Sequence, residues 1–385
     1  MKKIRLGILG VGNMGSSHSR NVLAGKCPEF ELVAIADWNA ERVAWYKKEI
    51  SDKVACFATC EEMIDSGLID ACLIAIPHYD HPKYAMLCMQ KGIHVLVEKP
   101  AGVYTMQVRE MNEEADKHPE LAFGMMFNQR TNCIYRKVHE LVHGGAIGEL
   151  KRVNWIITDW YRTQFYYDSG AWRATWNGEG GGVLLNQCPH QLDLLQWIVG
   201  LPCKVQAFCH EGKWHDIEVE DDVTAYLEYP NGATGVFITT TADAPGTNRL
   251  EITGTKGTVI CQDGVVQLRK LEKDEREWCA TCPEGFRAPD YETIVVETDG
   301  EFTAHPGVMN AFAANILRKE ALVADGREGI NGLMLSNAMH LASWLGQPVS
   351  LPVDEELFLK ELNKRRATSR IKTGESVLSD TKGTY

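Results

Sequence analysis

The sequence lacks any long hydrophobic run. The longest uninterrupted apolar stretch, Ala71–Ile76, has six residues, whereas a membrane helix needs about 20. The N-terminal segment MKKIRLGILGVG has glycines where a secretory signal would need a continuous apolar core. We therefore expect a soluble, cytoplasmic protein with no membrane partner.

Clustered basic residues are also missing. The net charge is −12, and no block of lysine and arginine occurs before the last 25 residues. Nucleic-acid backbones are bound by clustered basic side chains. The sequence therefore excludes a nucleic-acid partner and leaves small neutral or polar ligands as candidates.

A disulfide framework and a metal motif are absent as well. Twelve cysteines are spread from Cys27 to Cys282, and Cys72 and Cys88 lie inside apolar segments, which is typical of small core residues in a reducing compartment. Cys279-Ala-Thr-Cys282 is the one metal-like spacing, but no second ligand pair completes the four that structural zinc needs. We expect no bound metal.

The chain does contain a glycine-rich turn between an apolar strand (residues 4–9) and a segment able to form a helix. GxGxxG in this context is the fingerprint of a dinucleotide-binding fold. Gly10 permits the tight turn, Gly12 lets the backbone approach a pyrophosphate, and Gly15 lets the helix pack on the strand. The cofactor-binding residues predicted here are Gly10, Gly12, Asn13, Met14 and Gly15.

An acidic residue follows the second strand. The strand predicted at residues 31–36 (ELVAIA) is followed directly by Asp37, which lies 22 residues after Gly15. A carboxylate there would bind the adenosine ribose hydroxyls and repel a 2′-phosphate, which favours NAD over NADP. The alternative is a solvated aspartate at a strand end. Trp38 and Arg42 are included among the predicted cofactor contacts.

Further apolar strands at 70–76, 93–97 and 121–127 alternate with helical segments such as 82–91. This pattern predicts a parallel sheet covered on both faces, with ligands beyond the carboxyl ends of its strands. Residues 1–127 are therefore predicted to form a Rossmann domain. Expected beside the nicotinamide are Pro77, His78, His81, Glu98 and Lys99.

Lys99 has two interpretations. It could extend its aliphatic stem from the end of a buried strand to solvent. Placed in the cofactor cleft, it could instead hydrogen-bond a substrate hydroxyl and hold an oxyanion while a hydride leaves the carbon.

In combination, these motifs resemble those of the Gfo/Idh/MocA oxidoreductase family, from about residue 4 to about residue 350. The resemblance rests on GxGxxG, Asp37, the Pro77–His81 segment, Glu98-Lys99-Pro100, Phe127-Asn128-Gln129-Arg130 and the glycine-rich 178–190 stretch. It implies bound NAD, with Asn128 and Gln129 among its contacts. It also implies an open-faced sheet that covers the nicotinamide on one side and forms subunit contacts, in a dimer or tetramer, on the other.

The second domain is predicted over residues 128–360 as an α+β unit. A helix at 134–142 is followed by strand-like segments separated by turn signals, which indicate a largely antiparallel sheet. Helices at 306–318 and 329–345 close the domain. The polar, basic tail at 361–385 is expected to contact a neighbouring subunit.

The stretch 178–197, GEGGGVLLNQCPHQLDLLQW, predicts a helix that begins at Pro189. His190 and Asp193 share one face of it. From the residues alone, a histidine there is more often a capping or packing residue. The resemblance implies instead an acid/base His190, a role that suits the near-neutral pKa of histidine, with Asp193 touching substrate hydroxyls.

Asn186 departs from the family pattern. Relatives with Asp-x-x-x-His carry a carboxylate at this position, and an amide can orient a sugar hydroxyl but cannot take its proton. Lys99 and His190 must then share the proton transfer. A further hypothesis is that Asp193 supplies the missing charge.

The segment 159–176 is dense in aromatic residues and arginine. Aromatic faces stack on pyranoses, and arginine meets their hydroxyls, so the segment predicts a sugar site. The alternative is that half of these rings are core or interface residues. The predicted substrate contacts are Tyr161, Arg162, Trp172, Arg173, Asn186 and Asp193.

Together these features predict an NAD-dependent dehydrogenase of a sugar, glycoside or polyol. Lys99 and His190 would remove a hydroxyl proton as hydride passes to NAD, and the resemblance suggests oxidation at the 3-hydroxyl of glucosides. Alternatives are a redox-assisted glycosidase or lyase, an enzyme of the glucose–fructose oxidoreductase type with tightly bound cofactor, and a non-catalytic sensor. Intact Lys99 and His190 argue against the sensor.

Overall fold

The computed structural model describes residues 3–372 and contains a parallel sheet of six strands in the order β3-β2-β1-β4-β5-β6. This arrangement confirms the predicted Rossmann fold. The strands are β1 (Ile4–Leu9), β2 (Phe30–Ala36), β3 (Ala55–Phe57), β4 (Ala71–Ile74), β5 (His94–Val97) and β6 (Phe123–Met125).

Helices cover both faces of this sheet. They are α1 (Asn13–Leu23), α2 (Ala40–Glu49), α3 (Cys60–Asp65), α4 (His81–Gln90) and α5 (Thr105–Asp116). The turn into α1 depends on two glycines. Gly10 has φ +82°, and a Cβ added at Gly15 would collide with the carbonyl oxygen of Gly10. Both positions therefore require glycine.

The second sheet has nine strands in the order β14-β13-β12-β11-β7-β10-β9-β8-β15. Only β7 and β10 pair in parallel among these described strands, which confirms a largely antiparallel sheet. The strands are β7 (Leu150–Ile157), β8 (Lys204–Glu211), β9 (Glu220–Glu228), β10 (Thr234–Thr240), β11 (Asn248–Gly254), β12 (Gly257–Gln262), β13 (Val265–Leu271), β14 (Tyr291–Val296) and β15 (Val349–Ser350).

The remaining helices pack on or between the two sheets. They are α6 (Cys133–His143), α7 (Gln164–Asp168), α8 (Pro189–Val199), α9 (Glu275–Thr281), α10 (Ala304–Arg318), α11 (Gly329–Leu345) and α12 (Glu355–Arg366). A π-helical turn at Val183–Gln187 leads into α8. The inner face of the second sheet forms one core with α8 and α11, in which Trp155, Phe237, Leu195 and Met339 are buried.

Helix α10 belongs to the core of the first sheet. Its Val308, Met309 and Phe312 are buried with Ile8 of β1, and the Phe312 ring stacks on Phe30 with 6.4 Å between centroids. Helix α10, which lies within the predicted second domain 128–360, thus completes the first core with its apolar face, and the domain boundary itself stays a prediction.

The beginning of the predicted tail packs on its own chain rather than standing apart. Residues 361–366 complete α12. Beyond it, Arg370 pairs with Asp216 at 2.6 Å, and Lys372 Nζ donates to the carbonyl oxygens of Tyr167 and Arg173 at 3.2 and 3.0 Å. These contacts hold the start of the tail on its own chain, the predicted contact with a neighbouring subunit stays a prediction, and 373–385 lie outside the described residues.

Across residues 3–372, no helix combines the length and apolar character that a membrane span would need. All twelve cysteines are free thiols. Cys279 is exposed and Cys282 is half-buried, at the end of α9.

We predict that Phe312→Ala lowers the free energy of unfolding by about 3–5 kcal/mol, because it opens a cavity in the core shared by α10 and the first sheet. Leu317→Ala on the same helix is the control, since Leu317 is 44% exposed and its truncation costs within about 0.5 kcal/mol. Urea denaturation measures both. Equal losses in the two variants would contradict the assignment of α10 to this core.

Candidate active site

Asp37 lies against the glycine-rich turn. Its Oδ2 accepts a hydrogen bond from the backbone N–H of Val11, and its Oδ1 accepts one from Asn39, both at 2.9 Å. Trp38 is 83% exposed beside it, and the Arg42 guanidinium lies 5.9 Å from the ring centre of Trp45. The carboxylate is thus fixed where the strands β1 and β2 end.

The structure offers a fit for a dinucleotide at this edge. No side chain caps the first turn of α1, where Asn13 and Met14 lie, and nothing lies within 4 Å of a Cβ added at Gly12. Asn128 is fully buried, and neither atom of its amide bonds any described residue. Buried polar atoms need partners, and phosphates suit an uncapped helix start, so these features fit NAD. Gln129 Oε1, in contrast, accepts from Asn132 at 3.4 Å.

Glu98 holds the backbone of Lys99 in place. Its Oε1 lies 2.6 Å from His18 Nε2, and its Oε2 accepts from the Lys99 N–H at 3.1 Å. Burial would raise the pKa of Glu98, but the hydrogen bond and charge of His18 outweigh it and lower the pKa to about 2. Each oxygen has a partner and the residue is buried, and its contact with the cofactor stays a prediction.

The side chain of Lys99 crosses to the second half of the chain. Its Nζ donates to the carbonyl oxygen of Asn186 at 2.9 Å. Burial lowers the pKa of Lys99 from 10.5, the nearby Glu98 opposes this, and the charges of Arg162 and Arg173 lower it further. The ammonium therefore lies between the two sheets with both arginines near it.

His190 lies in the first turn of α8 and is buried, with its ring edge toward Phe127 at 6.4 Å between centroids. Burial, followed by the charge of Lys99, lowers the pKa of His190 well below 6.5. The imidazole is therefore neutral at neutral pH. The Lys99 charge acts on it, so the two predicted catalytic groups lie near each other.

Asn186 has an acidic partner that the sequence analysis missed. Its Nδ2 donates to Glu179 Oε1, and Glu179 Oε2 accepts from the backbone N–H of Ala174 at 2.5 Å. Glu179 is 2% exposed. The signal was present in the sequence as the one acid inside the glycine-rich run GEGGG.

Asp193 forms a buried ion pair with Arg130. Its Oδ2 and Oδ1 accept from Nε and a terminal nitrogen of Arg130 at 2.8 and 2.6 Å, and Oδ1 also accepts from Gln196 at 3.0 Å. The carboxylate is 1% exposed, and Arg130 also pairs with Glu328 at 2.8 Å. Asp193 is thus held in a buried ion pair, and its contact with substrate hydroxyls stays a prediction.

His81 is held by two backbone carbonyl groups. Its Nδ1 and Nε2 each lie 2.7 Å from a backbone carbonyl oxygen, of Pro100 and Ile76 respectively. Both ring nitrogens are engaged in a buried position, and the contact of His81 with the cofactor stays a prediction. His81 instead joins the end of β4 to the segment after β5.

Pro77 precedes the short 3₁₀ turn that contains His78. His78 Nδ1 lies 3.2 Å from the carbonyl oxygen of Glu179, and its ring meets the edge of Trp172 at 5.5 Å. Burial lowers the pKa of His78 well below its ordinary value. The structure therefore brings His78 and Trp172 together beside the glycine-rich run.

Arg162 and Arg173 surround Tyr166, a second residue that sequence analysis missed. Arg173 lies 4.5 Å from the Tyr166 ring and 4.7 Å from that of Trp172, and it donates to the Tyr166 hydroxyl at 2.8 Å. Arg162 lies 5.2 Å from the Tyr166 ring. The Tyr161 side chain is 51% exposed, so it lies outside this cluster.

A parallel sheet with a glycine-rich turn, a fixed strand-end carboxylate and a buried lysine–histidine pair defines a dinucleotide-dependent oxidoreductase. Residues 4–125 match the model of the oxidoreductase family with an NAD-binding Rossmann fold, and residues 135–260 match the GFO/IDH/MocA C-terminal domain. The chain belongs to the Gfo/Idh/MocA oxidoreductase family, which confirms the resemblance and NAD as its cofactor.

Relatives of known name cover most of the chain. Trans-1,2-dihydrobenzene-1,2-diol dehydrogenase of Mus musculus is 28% identical over 70% of this chain and 75% of its own length. Myo-inositol 2-dehydrogenase of Thermotoga maritima is 24% identical over 87% and 95%. The WlbA dehydrogenase of Bordetella pertussis, solved with NADH and UDP-GlcNAcA, has a TM-score of 0.75 and 28% identity over 91% of this chain and 100% of that one.

We predict that Gly12→Ala raises the dissociation constant for NADH at least about tenfold, because its methyl group would occupy the space where the backbone approaches the pyrophosphate. The fold has room for the methyl group, so the unfolding free energy should change by less than about 1 kcal/mol. Fluorescence titration measures binding. Gly285→Ala, also without a close neighbour, is the control, and equal NADH affinity in both variants would contradict the prediction.

Proposed function

We propose that this protein is a dehydrogenase that oxidises a hydroxyl-bearing ring carbon of a sugar, glycoside or cyclic polyol. The observation that carries the proposal is that Lys99, beyond the end of β5, donates to the carbonyl of Asn186, four residues before His190 of α8, and that its charge acts on the His190 imidazole. The names of the relatives, a myo-inositol and a dihydrodiol dehydrogenase, support a cyclic substrate with a secondary alcohol.

In this proposal His190 and Lys99 divide the proton chemistry. His190 is neutral, so its imidazole can take the hydroxyl proton. The Lys99 ammonium, held by the Asn186 carbonyl, stabilises the negative charge that develops on the same oxygen. When bound, NAD supplies the acceptor for the hydride from that carbon.

We propose that Arg162, Trp172 and Arg173 bind the substrate around this centre, with Tyr161 at the rim. Aromatic faces and guanidinium groups suit a pyranose with several hydroxyls. The 3-hydroxyl of a glucoside is the first position to test. WlbA was solved with a nucleotide-linked sugar, so such sugars belong in the same panel.

We further propose a cytoplasmic homo-oligomer of two-domain subunits. Free thiols throughout the chain suit a reducing compartment. Phe208 and Tyr226 are 60% and 43% exposed on neighbouring strands of the second sheet, and this outer face is the proposed subunit contact.

Incubation of the purified protein with NAD and a panel of inositols, aldoses and glucosides tests the proposed function by net NADH formation and by a keto product. Lys99→Met and His190→Asn should each lower kcat/KM by roughly 10²–10⁴-fold with NADH affinity retained, whereas the exposed Lys91→Met should not. Release of free aglycone at catalytic NAD would overturn the proposal in favour of redox-assisted bond cleavage.

The pH profile provides a second prediction. A lowered pKa keeps His190 neutral and able to accept a proton until the pH falls below 6.5, and a lowered pKa removes the Lys99 charge before the pH reaches 10.5. In the pH profile of kcat/KM for oxidation, the midpoint of the acidic limb should therefore lie below pH 6.5 and that of the alkaline limb below pH 10.5. His190→Asn should abolish the acidic limb and keep the alkaline one. An acidic limb centred above pH 6.5 would contradict the assignment.

A further inference from the structure

Glu179, the acid inside the glycine-rich run, is held in place by hydrogen bonds of its backbone as well as of its side chain. The Glu179 N–H donates to the Thr175 carbonyl at 2.9 Å, and the Glu179 carbonyl oxygen lies 3.2 Å from His78 Nδ1. One carboxylate oxygen then accepts from the N–H of Ala174, a residue in the left-handed region at φ +53°. The carboxylate is therefore pre-positioned in the buried cleft.

The second oxygen of Glu179 determines how the Asn186 amide is turned. A carboxylate only accepts hydrogen bonds, so Asn186 must present its NH₂ group to Glu179 and its oxygen to the opposite side. Lys99 fixes the backbone carbonyl of the same residue. Among residues 3–372, no donor bonds to Asn186 Oδ1 in the structure, so this oxygen is available to a ligand.

We propose that Glu179 is a positioning residue for the reaction, which turns Asn186 Oδ1 toward the substrate to accept a hydrogen bond from a second hydroxyl beside the oxidised carbon. The inference rests on the proposed function and deepens it. The inferred substrate is a vicinal diol. One of its hydroxyls reacts at Lys99 and His190, and the neighbouring hydroxyl donates a hydrogen bond to Asn186.

The charge of Arg173 and the hydrogen bonds from Ala174 and Asn186 favour the ionised form of Glu179. Burial outweighs them, and the charge of Glu220 adds to the effect of burial, so the pKa of Glu179 is raised. The charge of Glu179 in turn raises the pKa of Lys99 against burial. The carboxylate that the family pattern places at position 186 is thus supplied from position 179.

An exchange of the two side-chain types tests the proposal. In Glu179→Gln, the new amide accepts from the Ala174 N–H and donates to Asn186 Oδ1, which turns the NH₂ group of Asn186, instead of its oxygen, toward the substrate. Asn186→Asp places two buried carboxylates in contact, and one of them must then take a proton. When both substitutions are combined, the new amide at position 179 accepts from the Ala174 N–H and donates to the new carboxylate at position 186. The other oxygen of that carboxylate still faces the substrate.

We expect each single variant to lose roughly 10–100-fold in kcat/KM with a vicinal diol substrate, and the double variant to recover at least about tenfold over both. Asn186→Asp should also add an ionisation to the pH profile, which the double variant lacks. A double variant no more active than the poorer single one, or a fully active Glu179→Gln, would overturn the proposal.

Two further measurements separate the possible failures. NADH affinity and thermal unfolding should be unchanged in Glu179→Gln and the double variant, and Glu272→Gln on the surface is the matched control. If the single variants unfold, the test moves to substrates: the wild-type protein should prefer a diol over the matched monodeoxy analogue by kcat/KM, and equal rates would overturn the role of Asn186. Absence of dehydrogenase activity in the wild-type protein would instead refute the proposed function itself.

Discussion

The hydrogen bond from Lys99 Nζ to the carbonyl oxygen of Asn186 ties the two halves of the active site together. A buried ammonium costs several kcal/mol unless compensating groups surround it. Here the compensation comes from the Asn186 carbonyl on one side and from Glu98 on the other, where His18 keeps Glu98 ionised. The same contact brings α8, and with it His190, to the edge of the first sheet. The chemistry of the cleft therefore depends on how one cation is accommodated.

Much of the fold could be predicted from the sequence because its elements carry strong local signals. The turn Gly10–Gly15, the buried strands of the first sheet and the helix Gly329–Leu345 follow directly from glycine spacing and apolar periodicity. The strands β3, β8, β13 and β15 were not predicted, because they are short or carry polar residues on an exposed face. The packing of α10 on the first sheet could not be predicted for another reason. The periodicity of its apolar residues shows that one face is buried, but not which sheet buries that face.

The site divides in the same way. Lys99, His190 and Asn186 stand in motifs, and the structure brings them together. Asp193 stands one turn from His190, and the sequence could not show that Arg130, 63 residues earlier, occupies its carboxylate. The partners of His81 are backbone carbonyls, which no residue pattern reports. Glu179 was visible as an acid among glycines, but its significance depends on a contact with Asn186 that exists only in the folded chain.

The return of the chain through α10 limits how the cleft can open. After β6 the chain leaves the first sheet and forms most of the second sheet. It then returns in α10, where Phe312 is buried beside Phe30. From there it continues to α11, which packs against α8. A rigid rotation of one lobe against the other would have to pull these crossings out of a packed core. We therefore expect ligands to enter and leave through local movement of residues at the rim of the site, while the two sheets keep their relative position.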